Sequence, residues 1–216
     1  SIAAQKRKGA GEWGGKISGI AIALSGKEGF FIPEKLSGSK DTVLELARPW
    51  LEDPRISKNC HNAKWLEVTL KKQGVRLQGI RLDAMLANYI LDPAIDAEKL
   101  QRLLKKRFNY QQEEKKQPSL FDDEQKDQAF FHQLAKQAAY LSCLGDELEA
   151  ELKRENLFEL YETLELPLSP LLAQMELWGI AIDEEYLARL SGEVGGEISE
   201  IETKAKALVA KDFNLN

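Results

Sequence analysis

Residues 58–93 contain two adjoining segments, Lys58-Asn-Cys-His-Asn-Ala-Lys-Trp-Leu-Glu-Val-Thr-Leu70 and Gly74-Val-Arg-Leu-Gln-Gly-Ile-Arg-Leu-Asp-Ala-Met-Leu-Ala-Asn-Tyr-Ile-Leu-Asp-Pro93. Their pattern predicts a short strand over 56–59, a helix over 62–73 that Gly74 closes, and a second extended piece over 75–77. Asp83 is placed to cap a further helix, which ends before Pro93. Alternation of short strands and helices is typical of an α/β fold.

The flanking sequence extends this alternation in both directions. Apolar runs over 17–25 and 30–32, separated by Gly26-Lys-Glu-Gly29, predict a β-hairpin. Further predicted elements are a helix over 41–52 capped by Ser39 or Asp41, a helix over 96–108, a polar loop over 110–128, one long or two abutting helices over 129–166, a helix closed by Gly179, a three-residue β piece, and a helix opened by Asp183.

Composition restricts the classes of function. The 216 residues carry a formal net charge of −5, which argues against binding nucleic acid by bulk electrostatics, so any DNA contact must be local. The apolar runs are far shorter than the roughly 18–20 residues that a membrane span needs, and the N-terminus lacks a signal-peptide core. We therefore expect a cytoplasmic protein with no membrane partner.

The quoted segments resemble the second exonuclease motif of bacterial DNA polymerase I, a family A polymerase. A later stretch, from Pro167 to Asp183, resembles the entry into the polymerase domain of that family, and Phe213-Asn-Leu-Asn216 resembles a later family segment. The resemblance implies an α/β, ribonuclease-H-like mixed sheet with flanking helices, followed by long helices. It implies an exonuclease-like domain over 1–152 and the truncated start of a polymerase domain over 153–216.

The second motif keeps some family residues and lacks its metal-binding acid. Asn62 and Lys64 match the family pattern, but the metal-binding Asp of the family falls on Leu66. Glu67 is one residue away, and on a helix that offset turns a side chain by about 100°. Asp83 matches a family position, and its reading as a helix cap requires no catalytic role.

The other two motifs also lack acids. In the third motif, Tyr140 matches the family Tyr, which we interpret as a packed aromatic side chain, and the family Asp falls on Leu144; Asp146 faces elsewhere on the helix. The first motif, a strand with two acids, falls on residues 1–8, where the nearest acid is Glu12 in a glycine-rich stretch.

These losses bear on function because the family exonuclease holds two divalent cations with carboxylate oxygens. We expect no metal, no catalytic residue and no cofactor in this chain, and a silent proofreading domain that serves as a scaffold. The resemblance implies that the parent polypeptide is a Mg-dependent DNA polymerase that contacts DNA through its polymerase domain. An active exonuclease with displaced ligands is one alternative, and a binding module is another.

One short peptide suggests a separate partner. Gln117-Pro-Ser-Leu-Phe121 resembles the motif by which bacterial proteins dock on the sliding clamp, with Gln117, Leu120 and Phe121 as the contacting residues. The alternative is that Leu120 and Phe121 pin this loop onto its own domain.

Overall fold

The computed structural model describes residues 1–6, 17–34, 41–95, 99–110 and 123–209. The chain forms two compact units, Ser1–Leu177 and Trp178–Asn216. This division follows compactness, and the expected family domain limits at 152 and 153 stay a prediction. Among the described helices, none combines the length and the apolar character required to cross a membrane.

Among the described elements, three strands come first, helices and strands then alternate up to α3, and the rest are helical. In chain order they are β1 (Ile2–Lys6), β2 (Ile17–Ala23), β3 (Gly29–Pro33), α1 (Val43–Leu51), β4 (Lys58–Cys60), α2 (Ala63–Lys71), β5 (Ile80–Asp83), α3 (Ala84–Leu91), α4 (Leu100–Phe108), α5 (Asp123–Arg154), α6 (Phe158–Leu160), a π-helical segment (Tyr161–Glu165), α7 (Leu166–Trp178) and α8 (Glu184–Val209).

Strands pair in both senses. β1, β2 and β3 form an antiparallel sheet in that order, with Ile2 opposite Ile22 and Ile20 opposite Ile32. β4 and β5 form a parallel pair, with Cys60 opposite Asp83. The predicted hairpin is confirmed, and the two pairing senses of the expected mixed sheet are divided between these two sheets.

Helices cover both faces of β2. Because successive side chains of a strand point to opposite faces, Ile20 joins a cluster with residues of α1 and α2, whereas Ala21 joins a cluster with residues of α5. A third cluster forms between β5, α3, α4, α5 and Tyr161. The antiparallel sheet is therefore the middle layer of a three-layer α/β arrangement.

The hairpin lies directly on α5 because its turn is bounded by glycines. A Cβ atom on Gly29 would lie 1.9 Å from the Ala135 carbonyl oxygen, and one on Gly26 would lie 2.0 Å from Cys143 Sγ. At Gly29 the overlap is with helix backbone, so any other residue would push the hairpin off α5, whereas at Gly26 the Cys143 side chain would have to move. The turn of the hairpin is thus held against one side of α5.

Several predicted boundaries were wrong, each for an identifiable reason. Thr42, not Ser39 or Asp41, caps α1, because Glu45 completes a capping box with it. Residues 75–79 form no strand; Val75 and Gln78 donate backbone hydrogen bonds to Leu70 and Leu51, and the strand that pairs with β4 begins at Ile80.

The helical part also differs from prediction. α5 begins at Asp123, so residues 123–128 belong to the helix and not to the predicted polar loop. Residues 180–182 form no strand. The predicted helix end at Gly179, where φ is +69°, and the helix start at Asp183, whose Oδ1 accepts the Tyr186 N–H at 2.8 Å, are confirmed.

Candidate functional site: the degenerate nuclease positions

Leu66 fills the second motif position with hydrocarbon. It lies on α2, one turn after the N-cap residue Asn62, whose side chain accepts the Trp65 N–H at 3.1 Å. Its side chain is 2% exposed and belongs to the apolar cluster that includes Ile2, Ile17 and Cys60. The position offers no oxygen and is closed by packing.

Leu144 is packed in the same manner but elsewhere. It lies on α5, is fully buried, and belongs to the cluster with Leu82, Leu141 and Leu148. Leu66 and Leu144 therefore belong to different apolar clusters, one between α2 and the antiparallel sheet and one between α5 and β5. Both positions are filled by buried hydrocarbon.

The first motif region forms β1. Ile2–Lys6 pairs antiparallel with β2, so a strand is present where the family carries its two acids. The sequence of this strand, Ile-Ala-Ala-Gln-Lys, contains no carboxylate. Glu12 lies outside the described residues.

Tyr140 packs among aromatic rings. Its ring centroid lies 5.2 Å from that of Tyr110 in an edge arrangement and 5.7 Å from that of Phe108. The residue is 36% exposed and lines a cavity beside the β2–β3 turn, whose described lining includes neither Leu66 nor Leu144. Tyr140 therefore contacts neighbouring aromatic rings while it stays partly exposed, and it lies one helical turn before Leu144 on α5.

Asp83 has its carboxylate occupied by two helix N-termini. Oδ1 accepts the backbone N–H groups of Asn62 at 2.9 Å and Met85 at 3.0 Å, and Oδ2 accepts the N–H of Ala63 at 2.7 Å. The predicted cap of α3 is confirmed. The second cap, on α2, was missed. The signal was that Asp83 ends β5 and Asn62 follows β4, because the carboxyl ends of two paired parallel strands meet at one edge of a sheet.

Tyr161 completes the surroundings of Asp83 and was also missed from the sequence. It is 1% exposed, and its Oη accepts the backbone N–H of Asp83 at 2.7 Å. Burial raises the pKa of this hydroxyl above its usual value, the backbone hydrogen bond from Asp83 opposes that rise, and the charge of Asp83 adds to it. Tyr161 therefore remains a neutral acceptor at physiological pH.

Glu67 is the remaining acid on α2 near Asp83. Desolvation, opposed by Lys71 and reinforced by the negative charge of Asp83, raises the pKa of Glu67 to about 7. Two carboxylates are too few for a two-cation site, and one of them is already bonded to three N–H groups. The described part of the chain contains no cluster of three or more His, Cys, Asp or Glu side chains that could hold a metal ion, so these residues do not fit the two cations of the family.

The raised pKa of Glu67 leads to a stability prediction. In the unfolded chain its pKa is 4.5, so between pH 4.5 and 7 the unfolded state releases the proton first and stability falls as pH rises. We expect Glu67→Gln to stabilise the protein by ~1–2 kcal/mol at pH 8, after allowance for solvent screening, and to have little effect at pH 4. Urea denaturation at both pH values measures this difference. Glu159→Gln, on an exposed residue, is the matched control; equal effects of the two variants at pH 8 would contradict the prediction.

Lys64 contacts another helix. Its Nζ pairs with the Glu176 carboxylate of α7, and Lys71 Nζ contacts the Gln174 side chain on the same helix. The two motif matches therefore have structural roles in this chain: Asn62 caps α2, and Lys64 joins α2 to α7.

The candidate clamp-binding residues Gln117, Leu120 and Phe121 lie outside the described residues. Their role stays a prediction.

Sequence comparison links the chain to polymerases. Residues 14–117 match the family described as the ribonuclease H-like domain of DNA polymerase I. The DNA polymerase I of Mycobacterium bovis is 30% identical over 206 residues, which cover 94% of this chain and 23% of that protein. The Bacillus subtilis DNA polymerase I is 27% identical over 192 residues, covering 87% and 21%. The chain thus spans about a quarter of the length of these relatives.

Structural comparison agrees with the sequence. A structure of the POL domain of Pol1 from M. smegmatis, in complex with DNA primer-template and dNTP, matches with a TM-score of 0.69 and 26% identity over 100% of this chain and 34% of that one. Brucella melitensis NrnC with bound Mg²⁺ matches with a TM-score of 0.62 and 17% identity over 85% and 87% of the two chains, which shows the fold alone. The expected ribonuclease-H-like α/β fold is confirmed.

Proposed function

Because this chain belongs to the DNA polymerase I family and carries its exonuclease-like domain, we propose that the domain is catalytically silent and acts as a scaffold for the polymerase. The parent polypeptide would be a Mg-dependent DNA polymerase of replication and repair, and it would contact DNA through its polymerase domain.

The observation that carries this proposal is the replacement of oxygen ligands by packed hydrocarbon. Leu66 and Leu144 are buried in apolar clusters, and β1 contains no acid. The carboxylate of Asp83 is bonded to three backbone N–H groups. A hard divalent cation at this site would have neither the charge nor the oxygen atoms that it requires.

A scaffold role is further supported by exposed apolar side chains on the helices that follow the domain. Leu164, Leu168, Leu171 and Met175 recur at intervals of four, three and four residues, and each is at least two-fifths exposed. This spacing forms one stripe along the π-helical segment and α7. The proposed occupant of the stripe is the remainder of the polymerase, which in the relatives makes up most of the chain.

An active exonuclease with displaced ligands is the competing function, and Glu67 beside Asp83 is the feature that favours it. We expect no 3′ trimming of a 5′-labelled single-stranded oligonucleotide by the natural chain with Mg²⁺ or Mn²⁺. Leu66→Asp with Leu144→Asp tests whether restored acids produce activity. Metal-dependent trimming that Glu67→Gln abolishes would overturn the proposal, because a contaminating nuclease would not respond to that substitution.

A clamp-binding module is a third possibility. Retention of the chain by immobilised sliding clamp, lost when Leu120 and Phe121 are both changed to Ala, would support it; retention by both forms or by neither would exclude this peptide as the contact. The result is independent of the nuclease test, since the scaffold proposal does not involve these residues.

A further inference from the structure

One face of α8 carries a stripe of exposed apolar side chains. The helix has 26 residues and is therefore about 39 Å long. Six large apolar side chains lie along it, and each is at least 37% exposed: Leu187, Leu190, Val194, Ile198, Ile201 and Leu208. Because they recur every three or four residues, with Ala205 between the last two, they share one face of the helix. This face, the α8 stripe, is apolar surface that a partner would remove from water.

Apart from Ile198, the α8 stripe reads the same from either end. Its other positions are separated by three, four, seven, four and three residues, and the midpoint of this order lies between Glu197 and Ile198. Two antiparallel copies of the helix aligned on that midpoint would pack three pairs of positions against each other: Leu187 and Leu208, Leu190 and Ala205, and Val194 and Ile201. Each apolar position therefore meets an apolar position of the second copy.

Charged side chains beside the α8 stripe favour the same alignment. Glu193 and Lys204 lie on one flank of the stripe, with 63% and 69% of their side chains exposed. In the antiparallel alignment Glu193 of one copy lies beside Lys204 of the second copy, and this pair occurs twice. Glu197 and Glu200 meet as like charges closer to the midpoint. A parallel alignment would place Glu197 beside Glu202 and would give Lys204 no acidic neighbour on the second copy, so the antiparallel alignment is favoured.

Pairing would also stabilise the backbone of α8. Gly192, Gly195 and Gly196 lie inside the helix, and a Cβ atom on any of them would have no neighbour within 4 Å. Glycine lowers the stability of a helix interior, and the packing of an apolar face normally supplies most of the stability of a helix. We therefore expect helix formation in α8 to be coupled to the covering of the α8 stripe.

We infer that α8 pairs with the α8 of a second copy of this chain, antiparallel and centred between Glu197 and Ile198. The second copy is the occupant because the apolar positions and the pair of Glu193 with Lys204 are self-complementary in that alignment. None of the degenerate nuclease positions lies on α8, so the inference holds whether or not the exonuclease is silent.

Sedimentation equilibrium of the 216-residue chain tests the pairing. Between about 1 and about 200 μM we expect a reversible equilibrium between monomer and dimer, with a Kd on the order of 10 μM. Helicity measured by circular dichroism should rise over the same range, because pairing and helix formation are coupled. A chain that stays monomeric throughout this range would overturn the inference and leave the α8 stripe to another segment of a longer polypeptide or to another protein.

Cysteine cross-linking tests the orientation of the pair. The background is Cys143→Ser, which removes the exposed native thiol. In this background Leu187→Cys and Leu208→Cys should form a disulfide when the two variants are mixed and oxidised. Neither variant alone should cross-link, because its two thiols lie at opposite ends of the antiparallel pair, roughly 30 Å apart. Efficient cross-linking of Leu187→Cys alone would identify a parallel pair and overturn the inference.

Substitutions separate the α8 stripe from other exposed apolar surface. Val194→Glu should weaken dimerisation at least about tenfold, and Thr203→Glu, which adds the same charge on the opposite face of α8, should leave the Kd unchanged. Leu171→Glu, on the exposed stripe of α7, should also have no effect. Glu197→Lys should tighten dimerisation about threefold, since it converts the like-charge contacts with Glu200 into attractive ones. The inference is overturned if Leu171→Glu abolishes pairing, if Thr203→Glu weakens it as much as Val194→Glu, or if Glu197→Lys weakens it.

Discussion

Replacing Lys58 with methionine should destabilise the first compact unit by about 3–5 kcal/mol, although the substitution removes a charge from an apolar environment. Lys58 lies on β4 and is 1% exposed. Its Nζ donates to three backbone carbonyl oxygens, those of Asp53 at 2.9 Å, Ile56 at 2.7 Å and Gln78 at 2.8 Å.

The expected loss of stability arises because methionine cannot donate a hydrogen bond to the carbonyl groups around position 58. Three carbonyl groups from two separate loops would lose their shared donor, and an unsatisfied buried acceptor costs about 1–3 kcal/mol. The ammonium also lies 5.5 Å from the Trp50 ring centroid, so a cation–π contact is lost. Desolvation lowers the pKa of Lys58, and the charge of Asp53 opposes that shift.

Urea denaturation at pH 7 measures this effect. Arg55→Met is the matched control, because Arg55 is in the adjoining loop, is 87% exposed and pairs only with Asp53 among the contacts described; its loss should stay within about 0.5 kcal/mol. A Lys58→Met loss below about 1 kcal/mol would mean that the three carbonyls find other donors.

Asp83→Ala is the second large effect, with an expected loss of about 3–5 kcal/mol. The side chain is 2% exposed and caps α2 and α3 together, so its removal leaves three N–H groups at two helix starts without an acceptor. Asp83→Asn keeps one acceptor oxygen and turns an amide donor toward an N–H group. We therefore expect it to recover only part of the stability.

Asp92→Ala is a suitable control for Asp83. Asp92 caps a turn by accepting the Ala94 N–H at 3.1 Å, but its side chain is 41% exposed, and water can replace it. We expect a loss below about 1 kcal/mol. Similar losses for Asp83→Ala and Asp92→Ala would refute the double-cap account and leave Asp83 open to a role in ligand binding.

Local pattern predicted much of this fold, and the error in placing β5 has a non-local cause. The hairpin, α2, α3 and the ends at Gly179 and Asp183 are specified by periodicity and capping residues close in sequence. The position of β5 is not specified by nearby residues. Residues 75–77 and 80–83 have similar extended patterns, and only pairing with β4 distinguishes them. The same holds for Lys58, whose burial depends on a carbonyl of Gln78, 20 residues away.

The candidate site likewise has features that the local sequence predicts and features that depend on distant residues. Motif spacing identifies Leu66 and Leu144 as the positions where the family has acids, so the absence of those acids could be predicted from the sequence. The occupation of the Asp83 carboxylate and the contact with Tyr161 could not, because Tyr161 is 78 residues from Asp83 and lies beyond the expected limit of the exonuclease-like domain at 152. Tyr140 matched the family in residue type, but its surroundings are those of the cavity.

The hydrogen bond between Asp83 and Tyr161 affects where two related chains can be joined in a chimaera. The first compact unit continues to Leu177, and besides Tyr161 it includes Glu176, the partner of Lys64. A chimaera joined at the expected domain limit near 152 would take one partner of each contact from each parent. Exchange of this region between relatives should therefore succeed when the crossover lies beyond Leu177, and fail more often when it lies between 152 and 161.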